Sequence, residues 1–414
     1  MRYLGILKKI SFVSAGNILN AGFGLVFLTA SARALSPNDF GKYALLTTLL
    51  VFMSKVVDFG SNSVFVAESL KVSNSSVSRK SELVKTFVAL KTALFGLAVL
   101  LSLVAFYALG FRSLTLLAIF LAGLIFYSVN VAFFALFQST EMFGHAVLLN
   151  SIPAFFKAAI GGLMLLGVFN LPFTAIYATF CLSMALCLLL YFYIPKEFKR
   201  FSSADMVKSG FTQILKTSFP AGVSQLISQG WSAISNTIVK FSKGFSDVGV
   251  FYLADKIANV FSLISLSIFT VILPQNARRK KENLPHDLTE TGLLALLVMT
   301  LAIGFVGVSG IFVKSLFGDK YAGSLLILDI LIISAAVSAV HAFMENYFYV
   351  HGSTKTIMYI SVAKLTVFVL LSFLLLPGLS LKGLAFSQLI SAVFGLILVS
   401  FLTVNSKLKV QLKP

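Results

Sequence analysis

Charge is scarce in this sequence: Asp, Glu, Lys and Arg together make up 12% of its 414 residues. An average soluble domain carries about a quarter. With 58% hydrophobic residues and a mean hydropathy of +0.94, the chain cannot present a water-facing surface, and it reads as an all-α integral membrane protein. Cysteine is almost absent. Cys181 and Cys187 share one apolar segment but lie six apart on different helix faces, so neither a disulfide nor a metal pair is indicated. The histidines at 145, 286, 341 and 351 are scattered and read as structural or interfacial.

Chemistry-bearing motifs are missing as well. The sequence has no Walker A loop, no HExxH, no CxxC and no carboxylate pair beside a nucleophile. No enzyme, cofactor or metal site is expected, and any active transport must draw on an ion or substrate gradient. Gly22-Phe23-Gly24 lies inside a span and reads as a packing feature. The Asn74-Ser75-Ser76 sequon falls on an expected cytoplasmic loop and reads as chance.

What is present is a succession of apolar runs near the roughly 20 residues a bilayer requires. They fall at about 10–31, 43–67, 86–109, 114–137, 146–168, 173–194, 217–238, 248–273, 290–312, 323–345, 356–376 and 383–404, giving twelve expected helices and no soluble domain. If the N-terminus is cytoplasmic, Lys and Arg in the inner loops outnumber those in the outer loops more than twofold, so both termini are expected inside. The start MRYLGILKK, followed by an apolar run ending Ala30-Ser31-Ala32, has the look of a signal peptide. The run is too long for one, and its counterpart recurs mid-chain. The net charge of +18 is explained by loop topology and anionic lipid, without nucleic acid.

That recurrence is a register shift of 208 residues. Ile6-Leu7-Lys8 returns as Ile214-Leu215-Lys216, Asn17 maps to Gln225, Asp39 to Asp247 and Gly41 to Gly249. Two lobes are expected, 1–205 and 206–414, each of six helices and related by an axis along the membrane normal, with a cleft between them. Ser14, Asn17, Ala21 and Gly24 form one small-polar stripe, and Gln225, Ser228, Ser232 and Ser235 form its counterpart, suited to cleft lining or close helix packing.

Charges inside the spans stand out, because each costs roughly 2.5–3.5 kcal/mol at the bilayer centre on insertion scales. Lys55, Lys91, Lys157, Lys256 and Lys364 lie within spans, against Asp58, Asp255, Asp329 and Glu345. Lysines lead, so an anion suits the interior better than a cation. Lys157 is central in its span and shares a face with Asn150, Pro153, Ala154 and Gly161, which makes it the leading functional candidate. Lys91, Lys256 and Lys364 lie nearer span ends, within snorkelling reach of headgroups. Lys55 and Asp58, three apart, are expected to pair along one helix face. Asp58 then acts as a structural partner or as a switchable coupling carboxylate, and Asp255 is a second candidate for coupling or ion pairing.

Residues Ala32 to Gly60, ARALSPNDFGKYALLTTLLVFMSKVVDFG, together with GVFYLADKIANVF from Gly249, ILPQNARR from Ile272 and LFGDKYAGSLLILDIL from Leu316, resemble the Wzx-type polysaccharide flippases. These are the polysaccharide biosynthesis transporter family of the multidrug/oligosaccharidyl-lipid/polysaccharide (MOP) exporter superfamily. The resemblance spans nearly the whole chain. It implies twelve helices in two six-helix lobes, as in MOP and MATE transporters, working by alternating access in the cell inner membrane. It further implies export of an undecaprenyl-pyrophosphate-linked oligosaccharide for O-antigen, capsule, exopolysaccharide or lipopolysaccharide synthesis, beside membrane lipids and polysaccharide polymerase machinery. On that reading Lys157 and Lys55, with Lys91, Lys256 and Lys364, meet the anionic headgroup, while Asn17, Gln225 and Gln229 contact sugar. A multidrug or organic-cation exporter of the same superfamily, a lipid II flippase and a non-transporting scaffold for glycan assembly are the rival readings.

Overall fold

The computed structural model describes residues 2–71, 77–195, 198, 208–259, 288–350 and 353–411. The helices are α1 (Arg2–Ala34), α2 (Pro37–Asp58), α3 (Ser61–Lys71), α4 (Val77–Ala108), α5 (Leu114–Ser139), α6 (Phe143–Leu165) and α7 (Phe173–Leu182), which continues as a 3-10 helix over Ser183–Tyr193. Then come α8 (Lys208–Ser242), α9 (245–259), α10 (Leu288–Phe317), a 3-10 turn (Asp319–Ser324), α11 (Leu325–Val350), α12 (Thr354–Leu379) and α13 (Leu381–Gln411). Among the described residues there is no strand.

Ten apolar segments, including the α7 run with its 3-10 continuation and the 3-10 turn joined to α11, are long and apolar enough to cross a membrane. Of the twelve expected spans, 217–238 falls in α8, which is not among those ten. Its serines and glutamines dilute its apolar content. The expected span 248–273 is described only as far as 259, as helix α9, and the remainder lies outside the described residues. Lipid is the natural neighbour of the outward faces, where Leu114, Phe192 and Ile311 are largely exposed. Buried hydroxyls in the spans are quieted locally: Ser31, Thr48, Ser102, Ser372 and Ser387 each donate to the carbonyl one turn earlier.

One expected boundary moves. The apolar run 43–67 is not a single helix: α2 stops at Asp58, and the chain turns before α3. Ser36 starts α2, its Oγ accepting the Asp39 N–H at 3.1 Å, with Pro37 at the first position where a missing N–H is harmless. Phe59 then adopts a left-handed conformation, φ 41°, and Gly60 follows with φ 69°, ending the helix.

By contacts the chain divides into two compact units, Met1–Thr237 and Ile238–Pro414. In the first, α1 packs along α6, with Phe23 edge-on to Phe155 and Gly161 so close that a Cβ would lie 2.9 Å from Phe27 Cα. α2 lies against α4, α5 and α7 around buried Phe40, Tyr43, Phe120 and Tyr177. In the second unit α13 packs against both α11 and α12, and α10 against α11, where Ser309 donates to Asp329 at 2.7 Å.

Candidate functional site

A carboxylate at the end of α2 organises the polar interior of the first unit. Asp58 is 4% exposed. Its Oδ1 accepts from Lys91 Nζ of α4 at 2.9 Å and from the Asn62 N–H of α3 at 3.3 Å, and its Oδ2 accepts from Gln225 Nε2 of α8 at 2.7 Å. Every carboxylate oxygen thus has a donor, and two of those bonds are short, as charge-assisted bonds are. The C-terminus of α2 alone would repel an anion, but the Asn62 N–H in the first turn of α3 points toward it.

The expected partner is corrected here. Lys55 does not pair with Asp58; among the described residues the carboxylate's ion pair is with Lys91. Lys91 is 8% exposed, whereas Lys55 is half-buried and keeps part of its solvation. A fully buried ammonium without a counter-ion costs several kcal/mol, so the deeper lysine gains more from the one carboxylate. Lys55 remains within electrostatic reach of Lys91 as a like charge.

From this node a seam runs along α2 and α8 in antiparallel register. Gln225 meets Asp58, and Asn236 Nδ2 donates to Thr48 Oγ1 at 3.3 Å. Gly230 lies flat against the Phe52 ring. At the α2–α3 turn, a Cβ on Gly222 would lie 2.6 Å from the Phe59 carbonyl oxygen, and one on Gly60 would lie 2.8 Å from Gly222 N. Only glycine allows two backbones to approach so closely.

Lys157 has a different setting. It lies one turn beyond Pro153 in α6. Pro153 has no N–H for the Leu149 carbonyl, and Asn130 Nδ2 of α5 supplies the missing donor at 3.1 Å. That substitution keeps the helix continuous up to Lys157. The ammonium sits 4.8 Å from the Phe180 ring centroid. Phe180 is itself edge-on to Tyr43 of α2 and stacked with Tyr127 of α5. Cys181, a buried thiol, is its other electrostatic neighbour. Among the described residues no carboxylate pairs with Lys157.

The remaining candidates are dispersed. Asn17 on α1 and Gln229 on α8 are exposed. Gln225 uses its amide nitrogen on Asp58. In the second unit, Lys256 of α9 lies 5.3 Å from the Tyr252 ring centroid, and Asp255, 3% exposed, accepts from Asn259 Nδ2 at 3.2 Å. Lys364 of α12 runs past Gly395 of α13. The structure therefore brings Asp58, Lys91 and Gln225 together with Lys55 alongside, and sets Lys157 in its own aromatic surround. Sequence reasoning missed Asn130 and the Thr48–Asn236 bond. Pro153 in mid-span was the available signal for the first, since its orphaned carbonyl requires a polar neighbour; nothing local signalled the second.

The family model for polysaccharide biosynthesis proteins matches residues 6–279. No curated protein matches the sequence. Solved structures of the same fold include a multidrug resistance MATE family transporter of the MOP superfamily in an inward-facing conformation, at TM-score 0.74 and 12% identity over 94% of this chain and 95% of that one. The lipid II flippase MurJ in an inward closed conformation aligns at TM-score 0.74 and 16% identity, over 94% of this chain and 87% of its own. A MOP superfamily transporter from Pyrococcus furiosus, described as having a binding pocket of reverse polarity, aligns at TM-score 0.65 and 12% identity over 97% and 96%. At these identities the likeness establishes the fold, that of the MOP superfamily.

Proposed function

Because the chain belongs to the polysaccharide biosynthesis protein family, we propose that it is a flippase carrying an undecaprenyl-pyrophosphate-linked oligosaccharide from the cytoplasmic to the outer leaflet of the inner membrane. The two repeats, 1–205 and 206–414, alternate access to the substrate, both termini are cytoplasmic, and the product feeds polysaccharide polymerase machinery. O-antigen, capsule or exopolysaccharide is the end product on this reading.

The observation that carries the reading is Lys157, an ammonium inside the helices of the first unit whose neighbours among the described residues are a ring and a thiol and not a carboxylate. Such a cation is available to an anionic ligand, and a pyrophosphate is met by cationic donors. Lys55 is the second candidate contact. Lys91 is less available, being committed to Asp58. Lys256 and Lys364 are proposed headgroup contacts of the second repeat, and the exposed amides of Asn17 and Gln229, with the remaining oxygen of Gln225, are proposed sugar contacts. The lipid tail stays in the bilayer.

The test is a deletion strain complemented with wild type or with Lys157→Ala. Deletion should accumulate undecaprenyl-linked repeat units facing the cytoplasm and abolish surface polysaccharide, and Lys157→Ala should insert normally yet fail to restore it. An unchanged glycan profile on deletion sinks the flippase reading. Full complementation by Lys157→Ala sinks the cationic site.

A further inference from the structure

The second unit holds a polar cluster that none of this uses as a whole. His341 and Glu345 stand one turn apart on one face of α11. Lys364 of α12 interacts electrostatically with both. On α13, Gln388, Ser391 and Gly395 are spaced three and four apart and share a face. Ser391 Oγ donates to the Lys364 carbonyl at 2.7 Å, and Gly395 admits the lysine stem, whose Cε would stand 2.9 Å from a Cβ there. Three helices thus meet in one polar cluster around Lys364.

Two of its members are left over by the protein's own hydrogen bonding. Among the described residues, His341, 5% exposed, has a buried Nε2 with no hydrogen-bond partner, and Gln388 has a buried Oε1 with none. Glu345 and Lys364 are near neighbours in charge but form no ion pair among the described residues. Contrast Asp58, whose two oxygens take three donors. Buried polar atoms left unpaired cost about 1–3 kcal/mol each, and ionisable groups kept in that state inside a membrane protein mark a place where something binds.

Of the other charged groups whose side chains are described on packed elements, each is engaged or exposed. Asp329 of α11 accepts from Ser309 of α10, and Lys314 of α10 pairs with Asp319 of the 3-10 turn at 3.7 Å. Lys355 and Lys382 lie exposed in the first turns of α12 and α13. That leaves His341, Glu345 and Lys364 as the titratable groups of the cluster.

We propose that His341, Glu345 and Lys364 form a proton-binding site within the second unit. With a neutral imidazole the cluster carries one negative and one positive charge. One proton taken from water is held by the Glu345 carboxylate and shared with His341 Nε2, leaving a net charge of +1 on Lys364, and its return to water restores the starting state. Glu345 and Lys364 then attract one another in the unprotonated state and not in the protonated one, a change felt by α11 and α12 together. The use of this site to drive transport rests on the flippase reading; proton binding itself does not.

The experiment is an infrared pH titration of the purified full chain in liposomes, following the carbonyl stretch of protonated carboxylic acid. Wild type should show a titrating band that Glu345→Gln removes. Lys364→Met should move that band to higher pH by the equivalent of a tenfold or greater rise in proton affinity, because the cation favouring the carboxylate is gone. His341→Gln should also shift it. A band that titrates identically in wild type, Lys364→Met and His341→Gln overturns the proposal, including the case in which Glu345→Gln fails to fold. The readout needs no glycan, so the site stands or falls separately from the deletion experiment.

Discussion

Lys91 and Lys157 are both lysines within apolar helices of the first unit, and their surroundings are opposite in kind. Lys91 is clamped to Asp58, and through that carboxylate to α3 and α8. Lys157 faces a ring and a thiol. The first charge is consumed in holding helices together. The second has its field available to a ligand. Position in a hydrophobic span marks both as unusual, but only the partner decides whether a buried charge is architecture or a site.

Removing partners one at a time tests that division. Asp58→Ala should have the largest effect: it strands Lys91 and frees Gln225, and loss of one member of a buried pair costs about 3–5 kcal/mol. Thermal unfolding in detergent should show a large drop in midpoint, with much of it regained in Asp58→Leu/Lys91→Met, where no charge remains. A single variant as stable as wild type would remove the architectural role from the pair. Next comes Gly222→Ala, which sets a methyl against the Phe59 carbonyl, backbone against backbone, and should cost about 1–3 kcal/mol in the same assay.

Asn130→Ala is smaller again. It orphans the Leu149 carbonyl opposite Pro153, for roughly 1–2 kcal/mol, and should raise amide exchange locally in α6 ahead of any global change. The smallest expected loss is for Lys157→Met. A ring contact worth about 0.5–2 kcal/mol disappears, but so does the cost of a desolvated cation, leaving stability within about 1 kcal/mol of wild type. Were Lys157→Met as destabilising as Asp58→Ala, the contrast between the two lysines would collapse.

The spans were readable because a bilayer requires long apolar runs, and α4, α5, α6 and α10 to α13 lie close to where hydropathy places them. The break at Phe59–Gly60 was not, since it falls inside a run whose overall hydropathy stays high and the turn is packed against a neighbour, Gly222, far along the chain. The charges inside the spans were legible one by one. Their partners were not: the i,i+3 rule sees only one helix, and Asp58 finds Lys91 and Gln225 on others. The same limit hid the cluster around Lys364, although the one-turn spacing of His341 and Glu345 was in plain view.

The seam between α2 and α8 has a further property. The chain's single tryptophan, Trp231, directly follows Gly230, the residue laid against the Phe52 ring. Its emission therefore comes from a single position on α8, one residue along the helix from that contact, with no competing fluorophore of its kind. The unlabelled protein thus carries one intrinsic optical probe on α8, the helix that meets α2 and the turn after it at Gly222, Gln225, Gly230 and Asn236.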